Sequence, residues 1–202
     1  MKSYKPGKRQ TLLMYRRTVD RLFFATLLLG LLLLIISLYP LLGGVDFLSQ
    51  RIQAIISVSA AVVLTLSMFA FLARFRAYVQ VNQNHLSLVT PLIRLKISYL
   101  RLRSAHPALI QQLFPTNESG WARRSYLRPF YGKTAIVIEL KGYPLDPVLL
   151  RLFFTKEMFS PQNRGFVLLV PDWMRFSTEL DTLHGKWLGG QNAKGKHPSN
   201  LS

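Results

Sequence analysis

Leu22–Leu42 reads LFFATLLLGLLLLIISLYPLL and Ile52–Ala73 reads IQAIISVSAAVVLTLSMFAFLA. These runs of 21 and 22 residues hold no charged side chain. About 20 apolar residues rising ~1.5 Å each match the roughly 30 Å hydrocarbon core of a bilayer. Burial of both runs inside a soluble core would need a larger protein around them than the rest of the chain supplies. The pattern predicts transmembrane helices at 22–42 and 52–73, joined by an external loop at 43–51. A cleaved signal peptide fits less well, because the first run is too long and YPLLGG (Tyr39–Gly44) lacks the small-residue cleavage pattern.

Basic residues near the spans set the orientation. Seven of them (Lys2, Lys5, Lys8, Arg9, Arg16, Arg17 and Arg21) precede the first span, and the connecting loop carries only Arg51. Arg74 and Arg76 follow the second span at once. The reading is a multi-pass protein of the cell membrane with cytoplasmic N- and C-termini and a basic N-terminus at 1–21. Neither span contains an ionisable group of the kind that marks a transport path. Ser57, Ser59, Ala60, Ala61 and Ser67 are small residues suited to packing on the first span.

The chain has 202 residues, 26 Lys and Arg, 9 Asp and Glu, a formal charge of +17 and no cysteine. Thiolate catalysis, disulfides and cysteine-bound metals are thereby excluded. Beyond the spans, 75–188 has the length of one small cytoplasmic domain. Tyr78–Val81 and His85–Val89 flank the polar turn Asn82-Gln83-Asn84, which punctuates a hairpin. Ile93, Leu95, Ile97 and Tyr99 alternate with Arg94, Lys96 and Ser98, placing the first set inward and the second outward.

A short helical or irregular piece is expected from Pro107, and strands at Thr134–Leu140, Val148–Phe154 and Gly165–Val170. From Asp172 the period changes. Trp173, Phe176, Leu180, Leu183 and Trp187 recur at helical spacing, with Gly185 a plausible stop. The tail 189–202 is expected to be disordered.

Strands closed by one amphipathic helix, behind paired spans, resemble the bacterial pleckstrin-homology (PH)-like membrane proteins. The residues carrying the resemblance are YVQVNQNHLSLVTPLIRLKISYLRLRS at Tyr78–Ser104 and GFVLLVPDWMRFSTELDTL at Gly165–Leu183. The resemblance implies an α+β membrane protein: a two-helix transmembrane hairpin, then two orthogonal antiparallel sheets capped by a C-terminal helix. Phosphoinositide-binding members carry basic residues in their first two strands, but Tyr78–Val89 holds no lysine or arginine.

No P-loop, dinucleotide fingerprint or G-x-S-x-G occurs, and the four histidines lie in different segments. The expectation is a non-enzyme with no cofactor, metal or catalytic residue. One stretch stands out. Gly120–Lys133, GWARRSYLRPFYGK, mixes four aromatics with three arginines and a lysine and has no acid. Arginines near an anionic leaflet and amphipathic rings at its interface suit such a segment.

The candidate contact residues are Trp121, Arg123, Arg124, Tyr126, Arg128, Tyr131 and Lys133, with Arg94 and Lys96. Nucleic acid, which also attracts arginine and aromatics, is disfavoured for a membrane-tethered domain. A loop that merely bridges two strands stays open. The expected function is a membrane-anchored interaction module that binds anionic lipid headgroups, a protein partner, or both. The alternative is an accessory subunit assembled through its hairpin.

Overall fold

In the computed structural model, residues 6–40, 49–115, 117 and 120–195 are described. The chain divides into two compact units, one formed by residues 1–14 with 77–202, the other by residues 15–76.

Helices α1 (Leu13–Leu38) and α2 (Gln50–Arg76) make up nearly all of the second unit. Both are long and apolar enough to cross a membrane, and only 11% and 17% of their most apolar stretches are buried within the chain. They pack on each other through small residues. Ala60, Ser67, Ala70 and Ala73 are buried on α2, while Ala61 faces outward. A Cβ on Gly30 would stand 2.7 Å from a Leu64 methyl, so this glycine marks a close approach of the two helices. At the open end of the hairpin, Asp20 pairs with Arg74 at 3.5 Å, and the Arg74 guanidinium also lies over the Phe71 and Phe75 rings. Most of the expected 43–51 loop lies outside the described residues, and Gln50 and Arg51 already belong to α2.

The other unit is built on two antiparallel sheets. β1 (Gln10–Thr11), β2 (Tyr78–Val81), β3 (His85–Val89) and β4 (Arg94–Ser98) form the first, in that order. β5 (Leu102–Leu109), β6 (Thr134–Leu140) and β7 (Gly165–Leu168) form the second. On β4 the alternation holds as read: Leu95 and Ile97 are buried, Arg94 and Lys96 exposed. β6 is buried over most of its length because both faces are covered, so TAIVIEL shows no alternation.

The C-terminal helix α6 (Trp173–Gly195) packs against β2, β5 and β6, burying Phe176, Leu180 and Leu183 between them. Asp172 caps it, accepting the Arg175 amide at 3.1 Å. Gly185 does not stop it; α6 runs to Gly195, past the expected boundary at 188, and the tail beyond 195 lies outside the described residues.

Three expectations for this unit change. Pro107 lies inside β5 rather than opening a helix, which is tolerated because β5 is an edge strand and a missing donor costs no ladder bond there. Helix α3 (Ile110–Leu113) begins only afterwards. Val148–Phe154 is not a strand but most of helix α5 (Pro147–Phe153), which Asp146 caps by accepting the Val148 amide at 3.1 Å, with Pro147 in its first turn.

The third change concerns where the unit starts. The first strand comes from ahead of the long helices, so the unit is not confined to 75–188. Gln10 pairs with Val79 and Thr11 with Tyr78. The Gly7 amide donates to the Val81 carbonyl at 2.8 Å, and the Lys8 amide to Glu179 on α6 at 3.2 Å. The Leu13 amide reaches the Leu169 carbonyl at 3.0 Å, just past β7. Leu12 and Met14 are each 1% exposed. The whole hairpin is thus an insertion between two paired neighbouring strands.

Candidate functional site

The basic and aromatic stretch is a helix, not a loop. α4 (Trp121–Leu127) continues into one 3-10 turn at Arg128–Phe130, then Gly132, with φ of +83°, turns the chain into β6. The reason is periodicity: Arg123, Tyr126, Leu127 and Phe130 share one helical face, and the last three are buried.

Folding sorts the candidates into two groups. Tyr126 is buried, and its hydroxyl donates to the Met14 carbonyl at 2.6 Å. Arg123 lies half-buried over the Phe114 ring, 4.9 Å from its centroid, and pairs with Glu157 at 3.9 Å. Tyr131 is half-buried, with a hydroxyl shielded from solvent. Tyr126 and Arg123 hold the helix in place. Trp121, 83% exposed, together with Arg124, Arg128 and Lys133, forms the outward surface. The Lys133 ammonium is 5.9 Å from the Phe130 ring.

Arg94 and Lys96 belong to the other sheet, on edge strand β4 opposite Val89 and Ser87 of β3. They face His85, whose pKa is pushed below the ordinary value by partial burial, then by the charges of Lys96 and Arg94. Asn82 Nδ2 lies 3.5 Å from the His85 ring. The unfolded chain therefore protonates this histidine first. Stability is full above the unfolded value of about 6.5 and falls as pH drops through it towards the folded value. His85→Asn is expected to flatten that part of a stability-versus-pH curve, measured by urea unfolding across the range. An unchanged slope would refute the coupling.

Sequence reasoning missed a second basic feature. Arg103, Lys141 and Arg164 line an open cleft of about 440 Å³ with Glu139, Leu140 and Asn163. Strand pairing brings them together from the start of β5, the end of β6 and the turn before β7. The Glu139 carboxylate accepts from Ser104 at 2.8 Å and from Asn163 at 2.6 Å, and these bonds hold its pKa below the usual carboxylate range. No motif spacing links such residues.

Comparisons of the chain with family models, with curated proteins and with solved structures gave no match. Among the described residues, no group of three His, Cys, Asp or Glu side chains could hold a metal.

Proposed function

We propose that this protein is a membrane-anchored, non-catalytic interaction module: a PH-like domain held at the cytoplasmic leaflet, where it engages anionic headgroups through α4. The carrying observation is the Tyr126–Met14 hydrogen bond. It fixes α4 to Met14, in the first turn of α1 and the last residue that belongs to this unit, so the exposed Trp121, Arg124, Arg128 and Lys133 are carried by an element tied directly to the chain's exit from the domain. Pairing of residues 10 and 11 with 79 and 78 requires both ends of the hairpin to lie on one side of any bilayer it crosses.

A sheet order of four strands, then three, then a closing helix supports the PH-like reading. The basic flanks of both apolar runs favour the cytoplasmic side.

The test uses a soluble domain in which residues 7–14 are joined by a short glycine-rich linker to 77–195. It is expected to float with phosphatidylglycerol-containing vesicles, less so as salt rises, and to ignore phosphatidylcholine. Each basic side chain near an anionic surface contributes about 1 kcal/mol at low salt, so Arg124, Arg128 and Lys133 changed together to alanine should weaken binding by ~100-fold. Arg123 is left intact because it packs on Phe114 and pairs with Glu157. Equal flotation of the two proteins would remove α4 from the contact surface.

A further inference from the structure

Helix α5 is anchored by few side chains and leaves most of its apolar surface outside. Leu150 and Phe154 are buried in the domain, whereas Val148 and Leu152 are each 76% exposed, Leu149 50% and the preceding Leu145 41%. Helical spacing puts Val148, Leu149 and Leu152 on one face of α5, so three exposed aliphatic side chains are neighbours there, and the exposed Leu145 precedes the helix by two residues. Exposed cations accompany them: Arg151 on the helix, Lys141 and Arg164 where the β6–β7 connection leaves and rejoins the sheet. The two acids of this connection are engaged, Asp146 in capping α5 and Glu157 with Arg123.

We infer that α5 is an interfacial foot: its apolar face enters the headgroup–acyl boundary of the anionic leaflet to which the chain is anchored, while Lys141, Arg151 and Arg164 meet the phosphates. Apolar side chains beside cations are what such an interface selects. A short relay of contacts within the domain connects the foot to Met14, after which the chain leaves this unit. The turn following α5 carries Glu157, which pairs with Arg123 of α4, and one helical turn further on Tyr126 bonds to Met14. α2 ends at Arg76 and β2 begins at Tyr78, so the tether is a single residue and keeps local headgroup concentration high. The inference rests on the leaflet reading above and adds to it a second, apolar element.

The chain has no cysteine, so single labels can be placed in the full-length protein without removing any native thiol. Leu152→Cys, Trp121→Cys and, as a water-exposed control in the β2–β3 turn, Asn84→Cys would each carry an environment-sensitive dye. The proteins are reconstituted into phosphatidylcholine vesicles containing phosphatidylglycerol and a nitroxide-labelled lipid.

The label at 152 is expected to be quenched several-fold more strongly than that at 84, and less strongly when phosphatidylglycerol is omitted. Quenching at 152 no stronger than at 84, with 121 quenched, overturns the foot and leaves the leaflet reading standing. No quenching above control at either position overturns both. A label at 152 that is hidden from aqueous iodide yet not quenched by lipid nitroxide means a protein face covers α5, which also overturns the inference.

Discussion

A fragment running from Ala77 to Gly195 is expected to lose its native fold, and the same fragment with residues 7–14 joined ahead of it to keep that fold. The truncation removes the pairing of β1 with β2, the Gly7–Val81 and Leu13–Leu169 hydrogen bonds, and the buried side chains of Leu12 and Met14. Burying an aliphatic side chain of that size stabilises by about 1.5–3 kcal/mol. Two such side chains with their backbone bonds come to about 4–7 kcal/mol, comparable to the whole stability of a small domain. Val79 and Val81, now fully buried, would lie on a strand with one edge open. Urea unfolding followed by circular dichroism distinguishes the two fragments, and equal midpoints would show that the N-terminal segment is dispensable. A synthetic peptide of residues 7–14 should restore part of the lost signal.

Gly165→Ala is the second large effect. A Cβ at this position would collide with the Ile138 carbonyl oxygen and lie 3.0 Å from its carbon and 3.1 Å from the Glu139 Cα. All three neighbours are backbone of β6, so no side chain can swing away to make room. The β6–β7 ladder, in which Glu139 pairs with Gly165 and Ile138 with Phe166, has to separate locally. The expected loss is about 3–4 kcal/mol, at the upper end for overpacking. Gly142→Ala is the control, since nothing lies within 4 Å of the added carbon. Thermal unfolding of both variants decides the matter: a Gly165→Ala midpoint as high as that of Gly142→Ala would contradict the close approach.

Much of the architecture is legible in the sequence where the pattern is local. The alternation in Arg94–Ser98 and the helical spacing from Trp173 to Leu183 give β4 and the buried face of α6. β1 is invisible to such reading: a two-residue strand has no period, and its partner lies beyond the entire hairpin. The segment VLLRLF is too short and too uniformly apolar to separate strand from helix by period. The deciding signal was Asp146-Pro147, a cap followed by a first-turn proline.

At the candidate surface, composition picks out the stretch at 120–133, yet only its period separates Tyr126, which faces inward, from the exposed Trp121. Arg103, Lys141 and Arg164 meet only because strands β5, β6 and β7 end together. Short-range patterning cannot anticipate a cluster assembled by topology.

The placement of β1 ahead of both long helices also imposes an order on biosynthesis. Gln10 and Thr11 leave the ribosome before the hairpin, and their partners Tyr78 and Val79 emerge only after it has been made. During that interval the first strand has no sheet to join, and if the hairpin spans a bilayer as proposed, a chain with its two arms on opposite sides could never supply one. On the membrane-spanning reading proposed above, completion of the domain is therefore a readout of correct insertion. A chain that failed this step would keep Leu12 and Met14, each 1% exposed in the finished domain, in contact with solvent.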